Sequence, residues 1–247
     1  MILANHGIVS SSGGVPQIVT NGLILNLDAG NTLSYSGSGT TWSDLSGGGN
    51  DGTLINGAGY TSNYSGGITF DGVNDYVGLG QTLKLNDSDI TYDLWFKVNS
   101  NIDVYNSVFA QADVNLSNYI VLGKNRSGSN DGKFYVGFQG HSVIDTLPGA
   151  DLASLSIVNY QVVIKKISSV YNIKIYRNGT LTAQGNTSIS SYNMNTWSNY
   201  NVRIGSTTSF YPELFLGNIH TVRMYNIALT DTDVLQNFNA LKTRYGL

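Results

Sequence analysis

Trp42-Ser-Asp-Leu-Ser-Gly-Gly-Gly-Asn-Asp-Gly-Thr-Leu-Ile-Asn-Gly57, followed by Ile68-Thr-Phe-Asp-Gly-Val-Asn-Asp-Tyr-Val77, is the stretch whose reading decides the fold. Its first half is a loop rich in Gly, Asp and Asn that runs into a short apolar strand. Glycine supplies positive φ at no steric cost, and Asp and Asn bond their own backbone two residues on, so such a run turns rather than extends. The second half alternates apolar and polar residues around an Asp-Gly turn, the period of a half-buried strand. Short strands on either side of tight turns open a two-sheet jelly roll.

The β pattern continues along the chain. Leu23-Ile-Leu-Asn-Leu-Asp28 reads as a strand. In Ile90-Thr-Tyr-Asp-Leu-Trp-Phe-Lys-Val98 the residues Ile90, Tyr92, Leu94, Phe96 and Val98 face one way, and Thr91, Asp93, Trp95 and Lys97 the other. Further strands are expected at 107–111, 119–124, 133–139, 157–167, 201–204 and 214–225. Residues 172–183 form the clearest hairpin, with Asn178-Gly179 supplying the positive φ angles of a type I′ turn. The period then changes. Thr230-Asp-Thr-Asp233 reads as a helix N-cap with an acidic first turn, Val234, Leu235, Phe238 and Leu241 recur at helical spacing, and Gly246 is placed to stop the helix. Many short strands between such turns mean an all-β sandwich or barrel; with the opening stretch, the expected fold is a two-sheet antiparallel jelly-roll sandwich with one short C-terminal helix. The domain is expected over 22–247, preceded by an arm and hinge over 1–21.

The composition excludes several classes. The 247 residues suffice for one large sandwich without disulfides, and there is no cysteine for thiol chemistry or thiolate metal sites. The net charge is −3 with 12% charged residues, and Lys165-Lys166 is the longest basic run, so no footprint for nucleic acid is visible. No segment approaches the ~18 consecutive apolar residues of a membrane span, and the N-terminus lacks the basic start of a secretory signal. Gly (29) and Tyr (16) are abundant and Asn, Ser and Thr fill most polar positions. That surface suits tight turns, and it equally suits hydrogen bonding to sugars or neighbouring proteins.

Catalytic constellations are absent. Retaining glycoside hydrolysis needs two carboxylates about 5–5.5 Å apart, but Glu213 is the sole glutamate and the strand at 90–98 offers only Asp93. The pairs Asp71/Asp75, Asp87/Asp89 and Asp231/Asp233 read as turn and cap residues, and His6, His141 and His220 lack metal-ligand spacing. The chain is expected to be non-enzymatic and to require no cofactor. Calcium is the ion the sequence best offers a place for: Asp44, Asn50 and Asp51 concentrate oxygen ligands in the glycine loop, with Asp28 ending the preceding strand. The competing reading is a turn in which Asp caps backbone N–H groups. A glycan platform could be built from Asp93, Trp95 and Lys97 on the non-core face of their strand, or from Tyr60, Tyr64 and Trp197 in polar loops. Against it stands ordinary core or loop packing of each aromatic.

Several stretches resemble the laminin-G-like, concanavalin A-like lectin/glucanase domains of bacteriophage virion proteins. They are Leu25-Asn-Leu-Asp-Ala29 running through Tyr35 to Gly47, then Gly49-Asn-Asp-Gly-Thr-Leu54 and Phe70-Asp-Gly-Val-Asn-Asp-Tyr-Val77. Tyr176-Arg-Asn-Gly-Thr180 resembles the central hairpin, and Gly217 to Leu229 followed by Val234 to Ala240 the closing strand and helix. His220 stands where relatives often carry an acidic residue, a departure that weighs against an inherited metal site there. The resemblance implies a non-enzymatic virion structural or decoration protein of capsid or tail. Ile2, Leu3, Ile8 and Val9 would anchor it to other virion proteins, beyond the Ser10–Gly14 hinge. The implied setting is the particle surface, with synthesis in the host cytoplasm, and a homo-oligomer fits that setting. The alternative is a free carbohydrate-binding adhesion module recognising host-surface glycans.

Overall fold

The computed structural model describes residues 17–79, 83, 87–99, 106–113, 119–124, 132–146, 151–152, 156–192, 201–207 and 213–247. The arm residues Ile2, Leu3, Ile8 and Val9, and Trp197, lie outside the described residues. In chain order the strands are β1 (Leu23–Asp28), β2 (Thr41–Trp42), β3 (Gly52–Ile55), β4 (Gly59–Thr61), β5 (Gly67–Asp71), β6 (Tyr76–Leu79), β7 (Ile90–Val98) and β8 (Asn106–Ala112). They continue as β9 (Tyr119–Lys124), β10 (Phe134–Phe138), β11 (His141–Ile144), β12 (Val158–Ile167), β13 (Val170–Arg177), β14 (Thr180–Asn186), β15 (Asn201–Ile204) and β16 (Leu216–Tyr225). One helix, α1 (Asp231–Leu241), closes the described chain, followed by a 3-10 turn at Lys242–Tyr245.

Two antiparallel sheets form the sandwich. The first runs β14-β13-β12-β7-β16-β5-β4, and the second β11-β10-β9-β8-β15-β6-β3-β2. One edge of β16 serves two partners: Leu216–Ile219 pair with β5, and Thr221–Tyr225 pair with β1. The changeover falls at His220, where the pairing of β16 with β7 also shifts register. A bulge there lets one strand bend between two partners.

The core follows the period of two. Ile90, Tyr92, Leu94, Phe96 and Val98 of β7 are all buried, as the alternation requires, against Phe109, Ile120, Leu122, Phe134 and Val136 of the second sheet. Phe134 stacks on Tyr160 with centroids 4.0 Å apart, joining the two layers. The hairpin at Asn178-Gly179 has both residues at positive φ, 49° and 76°. A Cβ at Gly179 would sit 2.9 Å from the Phe238 ring, so the turn also abuts α1.

The helix begins as its sequence dictates. The Thr230 hydroxyl accepts from the Asp233 amide at 3.2 Å, and the Asp233 carboxylate accepts from the Thr230 amide at 3.0 Å, a reciprocal capping box. Gly246 takes the left-handed conformation at the end of the 3-10 turn rather than of α1 itself. Segment 17–20 runs alongside the helix: the Val19 amide donates to Asn237 Oδ1 at 2.8 Å, and Gln236 Nε2 donates to the Gln17 carbonyl at 2.9 Å.

Candidate functional site

The outer face of the first sheet is closed over β7, although a cavity of about 500 Å³ opens farther along it between Lys165, Asn172, Lys174 and Thr230. Thr91, Asp93 and Trp95 are as fully buried as the core face of the same strand. The cause is the C-terminal helix and its approach, which lie over β7, β12 and β16. Trp95 stacks against Phe238 at 5.8 Å and meets the tilted Tyr245 ring at 4.6 Å, in a cluster with Ile157 and Leu241. Asp93 Oδ2 accepts from Arg223 Nη1 at 3.1 Å, and its Oδ1 accepts from Asn159 Nδ2 at 2.7 Å. Burial pushes the Asp93 carboxyl above the usual carboxylate range, with Arg223 and Asn159 pulling the other way. Gln161 Nε2 donates to the Val234 carbonyl at 2.9 Å and so binds sheet to helix. The expectation of a glycan platform at Asp93 and Trp95 is therefore corrected: both belong to a second buried layer.

The other aromatic candidates separate. Tyr64 is 43% exposed and Lys97 sets its ammonium 5.4 Å from the Tyr64 ring centroid, with His220 on the ring's other contact at 6.1 Å. Tyr60 pairs with the core residue Ile68 and stacks on Tyr35 at 5.4 Å, so it serves the opposite side of the sheet edge.

The Asp44–Asp51 loop is held by amide hydrogens. Asp44 Oδ1 accepts from the Asn26 and Ser46 amides at 2.8 and 2.9 Å. Its Oδ2 accepts from the Ser46 hydroxyl at 2.8 Å and the Asn50 amide at 3.0 Å. Asp51 Oδ1 accepts from the Asp44 amide at 2.8 Å, and Asn50 Nδ2 donates to the Ile24 carbonyl at 2.9 Å. Asp28 lies apart, with both carboxylate oxygens 2.7 Å from Arg244 Nη1. Carboxylates surrounded by N–H donors fit a capped turn and fit calcium poorly, since a cation needs those lone pairs turned inward together. Among the described residues no three His, Asp or Glu side chains gather as metal ligands.

The outer face of the second sheet has a different character. Because Phe109, Leu122 and Val136 point into the core, the alternating residues Ala110, Val121 and Gly137 point away from it. Register places these three side by side across β8, β9 and β10, with Arg203 of β15 and Gly78 of β6 continuing the row. The flanking rows hold Ala112 beside Tyr119, and Gly123 beside Tyr135. The floor is thus made of small side chains.

Tyrosines rise from it. A Cβ on Gly137 would stand 3.0 Å from the Tyr119 ring and 3.2 Å from the Tyr135 ring, so two aromatic rings close over the glycine from either side. The Tyr119 hydroxyl accepts from the Gly140 amide at 3.2 Å. On the opposite flank the Arg203 guanidinium lies 4.2 Å from the Tyr76 ring centroid. With strands about 4.8 Å apart, β15 and β10 lie roughly 14 Å apart; Ala110, Ala112 and Val121 between them are buried, so of the described residues in this trough it is the half-buried Tyr119, Tyr135 and Tyr76 rings that a ligand could reach. At its end Glu213 Oε2 accepts from the Tyr135 hydroxyl at 3.1 Å. Burial pushes the Glu213 carboxyl up to about 6, against the lowering effect of the Tyr135 bond.

None of the trough residues is among those the sequence reading selected. A signal was nevertheless available: Val121, Gly123 and Gly137 are small residues at alternate positions, bracketed by Tyr119 and Tyr135. What hid it was the lack of any means to say which strands neighbour one another.

The family model described as the concanavalin A-like lectin/glucanases superfamily, of laminin G type, matches residues 71–235. No curated protein matches the chain. Domain 4 of AbnA, an extracellular arabinanase of Geobacillus stearothermophilus solved in complex with arabinotriose, superposes with a TM-score of 0.64 at 17% identity, over 87% of this chain and 97% of that one. The binding domain of Paraclostridial Mosquitocidal Protein 1 gives 0.66 at 13% identity, over 90% of this chain and 52% of that one. A Trypanosoma rangeli sialidase gives 0.61 at 15% identity, over 90% of this chain and 33% of that one. These likenesses speak to the sandwich itself. A family match over well more than half the sequence, on a two-sheet antiparallel jelly roll, makes this chain a member of the concanavalin A-like lectin/glucanase superfamily.

Proposed function

We propose that this chain is a carbohydrate-binding module that holds a glycan in the trough of the second sheet and does not cleave it. The observation that carries the reading is the pair of tyrosine rings, Tyr119 and Tyr135, set over Gly137 on a floor of small residues. Aromatic faces take the C–H side of a sugar ring, and a few placed polar groups take its hydroxyls. Glu213 stands at the end of the floor beside Tyr135 to supply one. The arabinotriose bound to the similar arabinanase domain supports an oligosaccharide as the ligand class. Binding without hydrolysis is supported by the sole glutamate, since either glycosidase mechanism divides its work between two carboxylates.

The test is binding of the full chain to a panel of immobilised oligosaccharides, repeated with Tyr119→Ala. Loss of the aromatic face is expected to weaken binding at least tenfold, with secondary structure unchanged by circular dichroism. Undiminished binding by Tyr119→Ala and Tyr135→Ala would overturn the trough as the site. Display of the module on a phage particle, with residues 1–21 as anchor, is supported by the sequence resemblance. Deleting residues 1–14 should then prevent incorporation into particles while leaving glycan binding intact.

A further inference from the structure

Glu213 is mostly withdrawn from water yet makes a single side-chain hydrogen bond, from the Tyr135 hydroxyl to Oε2. Its backbone is fixed on both sides. The Glu213 amide donates to Thr207 Oγ1 at 3.0 Å, and its carbonyl accepts from the Ser107 amide at 3.3 Å. The Ser107 hydroxyl, fully buried, has no partner. Among the described residues, the groups hydrogen-bonded to Glu213 are Tyr135 from β10, Thr207 from the segment after β15, and Ser107 from β8. Tyr135 is the one titratable side chain among them, and no described cation neutralises Glu213. A carboxyl held this way keeps one oxygen for an incoming donor and costs little to organise when a ligand arrives.

We propose that Glu213, positioned by Tyr135, selects the ligand by accepting a hydroxyl hydrogen bond from a neutral sugar and repelling acidic ones. The proposal rests on the trough being the glycan site. A carboxylate is an acceptor only, and as a charged acceptor it forms the stronger class of hydrogen bond with a hydroxyl. A sugar carrying a carboxylate of its own would bring a like charge into a partly desolvated place. The Glu213 carboxyl titrates near 6, so the acceptor form is complete at neutral pH and is lost on acidification. Affinity should rise as pH is raised from 5 to 7.5.

The experiment measures binding of the full chain by calorimetry, from pH 5 to 8. The probes are neutral linear oligosaccharides, arabinotriose among them, and acidic ones such as sialyllactose and uronic-acid oligomers. The wild type is expected to bind neutral probes, about tenfold more weakly at pH 5 than at 7.5. Glu213→Gln should remove that pH dependence and lower the pH 7.5 affinity about tenfold. Tyr135→Phe removes the bond that lowers the Glu213 pKa, so it should shift the midpoint upward and leave the pH dependence in place. A structural role alone would not move the midpoint. Preference for acidic probes, or an unchanged pH profile in Glu213→Gln, would overturn the proposal while leaving the trough as the site. If Tyr119→Ala also leaves binding untouched, the trough reading itself fails.

Discussion

Trp95→Ala separates the two faces of the sandwich most sharply. The indole is fully buried against Phe238 and Tyr245. A tryptophan side chain buries about 150–250 Å², which at ~25 cal/mol/Å² is about 4–6 kcal/mol of transfer free energy. A compact denatured state already hides part of that surface and trims the figure by about 10–40%. The indole Nε1 has no hydrogen-bond partner, so its removal also lifts a desolvation penalty of about 1–3 kcal/mol. The net loss is about 3 kcal/mol. At about 2–4 °C per kcal/mol for a domain of this size, Tm should fall by about 6–12 °C. Scanning calorimetry measures the shift, and glycan binding well below the new Tm should match that of the parent. Trp95→Phe keeps a ring against Phe238 without the stranded donor and should cost about 1 kcal/mol or less. A Trp95→Ala protein that melts like the parent but no longer binds sugar would refute this reasoning, because it would place the indole on a ligand surface.

Asp93→Ala should cost about 3–5 kcal/mol in urea unfolding by stranding Arg223, while Asp93→Leu combined with Arg223→Met should recover most of it; equal losses in the two would contradict a buried pair. His220 donates through Nδ1 to the Gly66 carbonyl at 2.7 Å, and burial lowers its pKa. The unfolded chain therefore takes up the proton first as pH falls below about 6.5, and stability falls with it. His220→Asn should flatten that acid limb in urea midpoints measured from pH 7 to 5, and an unchanged slope would remove His220 as its cause. Asp44→Ala should destabilise the loop by about 2 kcal/mol, since four hydrogen bonds converge on the carboxylate. A chelator should leave Tm unaltered, and a fall in Tm on chelation would restore calcium to the loop. Thr230→Ala should cost about 1 kcal/mol through loss of the capping box.

The alternation of β7 was legible because both sheets share one core and the period of two is strict. The hairpin at Asn178-Gly179 and the Thr230 cap were legible because each depends on a few adjacent residues. The polarity of the outer face misled. Asp93, Asn159, Gln161 and Arg223 look like solvent-facing residues, yet they are buried and hydrogen-bonded to one another beside α1. Local periodicity cannot report that a helix some 140 positions later covers a strand. The same limit hid the trough, whose floor comes from strands joined through long-range pairing. Short strands such as β4 and β11 carried too few residues to show a period at all.

The two outer faces therefore differ in what they can offer a ligand. On the first sheet, charges already desolvated are compensated by partners in fixed places: Asp93 by Arg223, and Asp28 by Arg244. Opening that layer would expose Trp95 and the apolar side of α1 while breaking both pairs, at a cost no single sugar contact returns. On the second sheet the described floor residues Ala110, Ala112, Val121 and Gly137 are small, buried and uncharged with Arg203 at their flank, the Tyr119 and Tyr135 rings are half-buried, and Glu213 bonds Tyr135 through Oε2. Under the proposed function, a sugar placed there covers the half-buried faces of Tyr119 and Tyr135. The prediction is separability: substitutions in the trough should change binding with small effects on Tm, and substitutions under α1 should do the reverse.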